Sequence, residues 1–466
     1  MERFIAREKE IQTLEGQYES EDSSFVVVYG RRRVGKSTLI KEFQSHHPNS
    51  LYILAREAPI EVNLQLFQTK IGEFLGVGKL TLDWIEMFRL LADRIGDDRL
   101  ILSIDEFQYL AIDDKVFLSI FQEIWDDVLK DKNIMLIVCG SYRRMMESQL
   151  LNHDSPLYGR RTSQILLRPI PFKKYSEFVP NLDERRLIFS YSVTGGIPKY
   201  IEMFNSCDDP MKNIESNVLD CDCYLFKEPE FILEKEIKDV KTSFPLMASI
   251  AAGNRKMKDI SKYMGLKSTD LTRVLNSLRE MDLVVREVPV TEKDPERSKK
   301  GLYRIKDPYF DFWFTYVYPY MDMLESLHTD FVMDRIGRTF EENKVAFVYE
   351  DLCREAIWDI PNIHDALLPT RVGRYWGSAT NETDIVILDD IDRKIMVGEC
   401  KYSSNPKDGR VMKGLNKRLS DLSQLMGYEP AGIIVFAANG FTDDMKEYAK
   451  GHGVLLVDGL THVQDP

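Results

Sequence analysis

The chain has 466 residues, of which 44% are hydrophobic and 29% charged, the balance of a globular protein with room for several domains. Its formal net charge of −13 excludes a protein that coats nucleic acid over its whole surface, although a local basic face stays compatible with it. The cysteines form no C-x-x-C pair and no apolar run approaches membrane-spanning length, so we expect a reduced, cytoplasmic chain that does not contact a membrane.

The first recognisable element is a phosphate-binding P-loop. An apolar run at 25–29 predicts a buried strand, residues 38–43 predict a helix, and the segment between them reads G-x-x-x-x-G-K-S. In this pattern backbone N–H groups point at phosphates, Lys36 reaches the β- and γ-phosphates, and the Ser37 hydroxyl ligates Mg²⁺. We therefore predict that ATP and Mg²⁺ bind at Gly30, Arg31, Arg32, Arg33, Val34, Gly35, Lys36, Ser37 and Thr38.

Two more strand-like runs end in polar residues. The run 100–104 is followed by Asp105 and Glu106, which is the Walker B pattern. We expect Asp105 to hold the Mg²⁺ shell and Glu106 to orient and deprotonate the attacking water. The run 134–140 ends at Ser141. A glutamate placed to activate water favours hydrolysis of ATP over phosphoryl transfer to a metabolite.

The middle of the chain changes in character. Residues 181–240 look mostly helical and predict a lid over the nucleotide, and residues 244–306 read as three helices and two strands, the order of a winged helix. Residues 241–306 carry 15 Lys and Arg against 8 Asp and Glu, which favours contact with nucleic acid. Winged helices also contact proteins, so that alternative stays open. The aromatic run 309–314 suggests base stacking, but its density favours a buried linker helix.

The C-terminal part contains a predicted β-hairpin with acidic residues. Its strands are 383–389 and 394–401, and Glu399 and Lys401 lie two residues apart, so both point to one face that Asp384 can reach. Asp384 and Glu399 are the oxygen ligands that Mg²⁺ prefers, and Lys401 would orient or help deprotonate a water. Residues 399–418 carry six basic and two acidic side chains, which suits a nearby phosphate backbone.

Four segments, 4–8, 29–37, 105–108 and 156–162, resemble the archaeal-type AAA ATPases of the STAND-related clade. The resemblance implies that the opening segment lies near the adenine and that Ser141 senses the γ-phosphate. It also implies Arg160 or Arg161 as the group that neutralises charge on the γ-phosphate, although an arginine pair more often forms surface salt bridges.

The D…E-x-K pattern resembles the PD-(D/E)xK nuclease superfamily, and it is most similar to the DUF234-type domain that follows the ATPase in the archaeal family. This resemblance implies that Glu350, on an earlier predicted helix, supplies the helix-borne acid of the site. Thr383 stands where the fuller superfamily motif has proline. Because such domains also persist as inactive binding modules, cleavage is a separate hypothesis from the fold.

Together these features predict an α/β multidomain protein: a P-loop parallel-sheet ATPase (1–180), a helical lid (181–240), a winged helix with linker (241–325) and an α/β nuclease-like domain (326–466). The leading hypothesis is an ATP-hydrolysing protein that binds DNA and carries a Mg²⁺-dependent nuclease-like domain. The alternative is an ATP-controlled switch that binds DNA or protein without cutting. Assembly into homo-oligomers is left open.

Overall fold

A computed structural model describes residues 4–96, 98–111, 115–141, 146–237, 239–377 and 382–464. The chain divides into two compact units. The N-terminal unit comprises Met1–Phe178 and Gly196–Glu202, and the C-terminal unit comprises Val179–Gly195 and Met203–Pro466. None of the described helices has the length and apolar character needed to cross a lipid bilayer. The finer division into four domains stays a prediction.

The N-terminal unit is built on a five-stranded sheet in the order β2-β3-β4-β1-β5, with every neighbouring pair parallel. Its strands are β1 (Ser24–Tyr29), β2 (Ser50–Leu54), β3 (Leu100–Asp105), β4 (Ile134–Gly140) and β5 (Ser163–Leu166). Among the described residues, the α-helices that begin within Met1–Phe178 include α1 (Glu8–Tyr18), α2 (Lys36–Ser45), α3 (Ile60–Leu75), α4 (Trp84–Asp93) and α5 (Lys115–Glu123), with shorter helical turns at Phe107–Leu110, Ile124–Leu129, Glu147–Leu151 and Phe172–Glu177.

The strand order of this sheet explains where its polar residues meet. Every residue of β1, β3 and β4 is buried, as expected for parallel strands covered on both faces, and this is why they read as unbroken apolar runs. The three strands are neighbours in the sheet, so their carboxyl ends lie side by side at one edge. The P-loop, Glu106 and Ser141 follow those three ends. The predicted parallel-sheet fold of this unit is confirmed.

The first part of the C-terminal unit is mainly helical. Its helices are α6 (Glu184–Thr194), α7 (Pro198–Phe204, which begins in the N-terminal unit), α8 (Pro210–Ile214), α9 (Glu228–Glu236), α10 (Val240–Ala251), α11 (Met257–Met264) and α12 (Ser268–Glu280), with a turn at Glu215–Leu219. Strands β6 (Val284–Glu287) and β7 (Leu302–Ile305) then form an antiparallel pair. These elements follow the order predicted for 244–306, and Gly265 makes the turn between α11 and α12 with a left-handed φ of +65°.

The second part of the C-terminal unit is a six-stranded mixed sheet in the order β13-β12-β11-β10-β9-β8. Its strands are β8 (Arg371–Tyr375), β9 (Thr383–Asp389), β10 (Lys394–Lys401), β11 (Glu429–Ala437), β12 (Val454–Asp458) and β13 (His462–Gln464). The helices after β7 are α13 (Pro308–Tyr316), α14 (Met321–Glu325), α15 (Thr329–Phe340), α16 (Ala346–Ala356), α17 (Pro361–Ala366), α18 (Leu415–Met426) and α19 (Asp443–His452), with turns at Tyr318–Tyr320, Glu341–Val345, Ile357–Asp359 and Gly409–Met412. The predicted hairpin is β9 and β10, which pair antiparallel from Ile385 opposite Gly398 to Asp389 opposite Lys394.

Candidate functional site

The P-loop joins β1 to α2 in the way its sequence predicts. Gly30, Arg31, Arg32, Arg33, Val34 and Gly35 form the loop, and Lys36, Ser37 and Thr38 open the helix. A Cβ on Gly30 would collide with the carbonyl oxygen of Leu167, so only glycine fits that close approach. Gly35 caps α2 with a left-handed φ of +93°. The first N–H groups of α2 are therefore available to an anion held by the loop.

Lys36 lies inside the loop that it belongs to. Its side chain is 5% exposed, and its Nζ donates to the carbonyl oxygens of Gly30 at 3.0 Å and Arg31 at 2.8 Å. Phosphate oxygens bound in the loop would compete with these carbonyls for the ammonium group. The position of Lys36 thus fits the phosphate contact predicted for it.

Ser37 and Asp105 meet across the edge of the sheet. The Ser37 hydroxyl donates to Oδ2 of Asp105 at 2.5 Å, and the Tyr52 hydroxyl donates to the same oxygen at 2.6 Å. Burial raises the pKa of Tyr52, and the Asp105 charge raises it further, so Tyr52 stays a donor. A hydroxyl beside a carboxylate suits Mg²⁺. The sequence analysis did not single out Tyr52. This residue lies on β2 directly opposite Ser103 of β3, and the pairing of the two strands is what brings it close to Asp105.

Glu106 is held at both carboxylate oxygens. Its Oε1 accepts from the Ser141 hydroxyl at 2.8 Å, and its Oε2 accepts from the Gln108 amide nitrogen. The residue has a left-handed φ of +55°, so the chain leaves the line of β3 directly after Asp105. The structure therefore brings Ser37, Asp105, Glu106 and Ser141 together. Gln108 lay in the D-E-F-Q segment of the sequence, but its partner could not be predicted from it.

Two other segments of the N-terminal unit lie beside the P-loop. Arg7 donates through Nη2 to the carbonyl oxygens of Val34, at 3.0 Å, and Arg168, at 2.8 Å, while its side chain is 6% exposed. A Cβ placed on Gly35 would lie 3.9 Å from Cγ of Pro198. The opening segment thus supports the loop through Arg7, whereas its predicted position near adenine stays a prediction.

Arg160 and Arg161 lie at the other edge of the sheet. The next residue, Thr162, donates its N–H to the Phe25 carbonyl at 2.8 Å, near the amino end of β1. Phe25 and the P-loop are separated by most of β1, which rises about 3.3 Å per residue. The structure does not bring either arginine to the P-loop of the same chain. A role at the γ-phosphate would therefore require a neighbouring chain.

Glu399 and Asp384 form the centre of the C-terminal site. Oε1 of Glu399 accepts from Nζ of Lys401 at 2.6 Å, and Oε2 accepts from Nη1 of Arg418 at 2.7 Å. Oδ2 of Asp384 accepts from the Cys400 N–H at 3.0 Å. Burial raises the pKa of Asp384, and the Glu399 charge raises it further. Arg418 was missed because it comes from α18, which packs against β10.

Glu350, the helix-borne acid of the sequence analysis, lies beside this centre. Its Oε2 is 3.4 Å from Nη2 of Arg374 and 3.7 Å from Nη1 of Arg354, which also donates to the main-chain oxygen of Asp384 at 2.9 Å. Burial is the main cause that raises the pKa of Glu350 to about 7, and the charge of Asp384 adds to it. The structure therefore brings Glu350, Asp384, Glu399 and Lys401 together.

The chemistry of these donors suits a hard cation, but their arrangement is not an open chelate. A divalent cation would relieve the repulsion between Asp384 and Glu399. Both Glu399 oxygens, however, already accept hydrogen bonds from cationic side chains. In the part of the chain that the structure describes, one group of three ligand-type residues has its ligand atoms within 4.8 Å of one another, and it is Asp220, Cys221 and Asp222. Mg²⁺ at Asp384 and Glu399 would therefore compete with the positive charges of Lys401 and Arg418 for the Glu399 carboxylate.

Comparison with known proteins identifies both parts of the chain. Residues 4–204 match a family described as an ATPase domain predominantly from Archaea, and residues 313–412 match DUF234, described as archaeal and bacterial proteins of unknown function. The Walker-type ATPase PABY2304 of Pyrococcus abyssi has a similar fold, with a TM-score of 0.51 and 21% identity over 67% of this chain and 96% of that one.

The similarity to one curated protein covers nearly the full chain. The uncharacterized protein MJECL04 of Methanocaldococcus jannaschii is 31% identical over 91% of this chain and 93% of its own length. A shorter match is to the uncharacterized ATP-binding protein MJ0423 of the same organism. The two sequences are 42% identical over a segment that covers 9% of this chain and 68% of MJ0423. The chain is an archaeal-type P-loop ATPase with a DUF234 domain, and it belongs to the same family as MJECL04.

Proposed function

We propose that this ATPase hydrolyses ATP at the P-loop with Mg²⁺ held by Ser37 and Asp105, and that the same protein binds DNA. The observation that carries the hydrolytic part is the hydrogen-bonded set formed by Ser37, Asp105, Glu106 and Ser141 at one edge of the parallel sheet. In this proposal Lys36 contacts the β- and γ-phosphates, Glu106 takes the proton of the attacking water, and Ser141 contacts the γ-phosphate.

Substitution of Lys36 and Glu106 tests the hydrolytic part. Lys36→Ala should weaken ATP binding because it removes a phosphate contact. Glu106→Gln should bind ATP as the wild type does but hydrolyse it about 100-fold more slowly, because an amide cannot accept the proton. Fluorescent-nucleotide titration and phosphate release measure the two effects.

Lys70 and Glu73 provide matched controls, since they form an exposed ion pair of 2.9 Å on α3. Lys70→Ala and Glu73→Gln should change neither binding nor turnover. Wild-type hydrolysis by Glu106→Gln would remove Glu106 from the mechanism.

The basic segment 241–306 is the proposed DNA contact, and we interpret it as a winged helix. Helix α12 buries Leu271, Val274, Leu275 and Leu278 on one face. Arg273 is 84% exposed, and its Nη2 lies 3.9 Å from a carboxylate oxygen of Asp239. The loop between β6 and β7 is held by Arg286, which donates to the Pro295 carbonyl oxygen at 2.9 Å and to that of Ser298. In this proposal Arg273 on α12 and the basic side chains of the loop held by Arg286 are the groups that contact phosphate.

The salt dependence of DNA affinity tests this contact. Each phosphate contact that is removed should lower the slope of log K against log salt by about one. Arg273→Gln and Lys299→Gln should therefore each flatten the slope, whereas Lys70→Gln should not. Lys300 is a weaker choice because it pairs with Glu292 at 2.9 Å. If the protein binds no DNA even at low salt, segment 241–306 is a protein-contact module.

The DUF234 part supports two functions, and different contacts favour each. Mg²⁺-dependent DNA cleavage is favoured by the group formed by Asp384, Glu399, Lys401 and the adjacent Glu350. In this reaction the carboxylates of Asp384 and Glu399 would hold the ion, and Lys401 would orient the water. The hydrogen bonds from Lys401 and Arg418 to Glu399 favour the alternative, a site that binds without cutting and is controlled by the ATPase. We propose cleavage as the first candidate and the non-cutting switch as the second.

A further inference from the structure

We propose that Gln108 is a positioning residue for ATP hydrolysis, acting through Glu106. The inference rests on the role of Glu106 proposed above and adds a residue to it. Gln108 is fully buried two residues after Glu106, in the helical turn that follows β3. Its amide nitrogen donates to Oε2 of Glu106. A carboxylate can only accept, so the contact identifies the nitrogen side of the amide.

The environment of Gln108 keeps its amide in one orientation. A Cβ on Gly140 would collide with Oε1 of Gln108 and with the side chain of Met146. The amide therefore packs directly against the backbone at the end of β4, one residue before Ser141. Any side chain at position 140 would displace it.

The other end of the amide is not satisfied by protein contacts. Among the described residues, Oε1 of Gln108 has no hydrogen-bond partner although it is buried. A buried polar atom without a partner destabilises the fold, and an apolar side chain of the same size would avoid that cost. Glutamine supplies a hydrogen-bond donor to Glu106, which leucine or methionine at this position would not supply.

Gln108 and Ser141 each hold one oxygen of the Glu106 carboxylate, and Gln108 is the donor that stays in place when the single Ser141 hydroxyl proton turns to the γ-phosphate. Ser141 holds Oε1 at 2.8 Å and Gln108 holds Oε2. One lone pair on each oxygen stays available, so a water can be received in a set direction. Removing one donor lets the carboxylate rotate away from the reactive geometry, and this slows the chemical step without removing a nucleotide contact.

The test compares turnover with nucleotide affinity. Gln108→Leu keeps a similar volume and removes the donor. We expect kcat for ATP hydrolysis to fall about 10-fold to 100-fold, while the Kd for ATP measured with a fluorescent analogue changes less than about twofold. The control is Gln149→Leu, since Gln149 is also buried in the N-terminal unit with an unpartnered Oε1. It should leave kcat unchanged. Gln108→Met, of the same length, replaces Gln108→Leu if the leucine variant does not fold.

A double-mutant cycle separates positioning from a general packing effect. Single-turnover hydrolysis by Glu106→Gln should not slow further when Gln108→Leu is added, because Gln108 acts through the carboxylate. An unchanged kcat in Gln108→Leu, or an equal loss in both backgrounds, would overturn the inference. If Glu106→Gln itself turns over at the wild-type rate, the proposed function of Glu106 fails as well. If Glu106→Gln is slow and Gln108→Leu is not, only the role of Gln108 fails.

Discussion

Arg160 donates to both carboxylate oxygens of Asp126, through Nε at 2.9 Å and through Nη2 at 2.7 Å. Its Nη1 also donates to the Pro156 carbonyl oxygen at 2.6 Å. The hydrogen bonds from Arg160 are the largest cause that lowers the pKa of Asp126. The forked geometry needs a planar guanidinium, so lysine would not reproduce it. Arg160 thus stabilises the segment that leads into β5.

We predict that Arg160→Lys lowers the free energy of unfolding by about 1 kcal/mol at neutral pH. The lowered pKa of Asp126 contributes stability above the unfolded carboxyl value, near pH 4, and that contribution is lost as the pH falls through the folded value. The difference from wild type should therefore shrink below about pH 4 in urea unfolding. ATP turnover at saturating ATP should not change. A loss of about 1,000-fold would instead indicate an arginine acting on a neighbouring chain's nucleotide.

Helix α13 shows why a dense aromatic run belongs to the core. Asp307 caps the helix by accepting from the Phe310 N–H at 2.8 Å, and Pro308 occupies the first turn. A helix that is apolar on all sides has to be buried. The buried side chains are Tyr309, Phe310, Phe312, Trp313, Phe314 and Tyr316. The linker-helix hypothesis is the one that agrees with this burial.

We predict that Trp313→Phe destabilises the protein by about 1–3 kcal/mol. The indole Nε1 donates to the buried Phe226 carbonyl oxygen at 2.6 Å, and phenylalanine would leave that oxygen without a donor. Urea unfolding measures the effect. Trp358→Phe is the control because Trp358 is 49% exposed. Weaker DNA affinity in Trp313→Phe with unchanged stability would favour base stacking instead.

The two sets of acids belong to different compact units. Asp105 and Glu106 lie in the N-terminal unit, and Asp384 and Glu399 lie in the C-terminal unit. A substitution in one set therefore leaves the residues of the other set in place. ATP hydrolysis and any chemistry of the DUF234 part can be tested separately in the intact chain.

We predict that Asp384→Asn and Glu399→Gln each remove most divalent-cation affinity at the DUF234 site, because the carboxylates are the ligands. Lys401→Ala should keep metal binding but abolish cleavage, since an ammonium group is not a ligand. All three variants should hydrolyse ATP at the wild-type rate. Mn²⁺ binding, cleavage of one DNA substrate and phosphate release measure these effects.

Asp408→Asn is the matched control for these variants, because Asp408 is an exposed carboxylate that pairs with Arg410 in the same basic segment. It should behave as wild type in all three assays. If the wild-type protein binds DNA and hydrolyses ATP but does not cut DNA with Mg²⁺ or Mn²⁺, the cleavage hypothesis is wrong and the non-cutting switch is favoured. Cleavage that survives Asp384→Asn and Glu399→Gln would point to a contaminating enzyme.

The sequence by itself determined the P-loop, the Walker B acids and the sheet that carries them. The P-loop is one contiguous segment whose chemistry depends on consecutive backbone N–H groups, Lys36 and Ser37. Parallel strands buried on both faces must be unbroken apolar runs. The hairpin 383–401 was predictable for a similar local reason, because the period of two fixes which face each residue takes.

Only the tertiary structure decided which side chains are partners. Tyr52 reaches Asp105 across 53 positions, Arg160 reaches Asp126 across 34, and Arg418 reaches Glu399 across 19. Each contact depends on the strand order or on which helix packs against which strand. Such long-range contacts cannot be predicted from a local sequence pattern, because the pattern around a charged residue is the same whether its side chain is solvated or buried against an opposite charge. The role of an individual arginine or glutamine therefore follows from packing, whereas the nucleotide loop follows from its own residues.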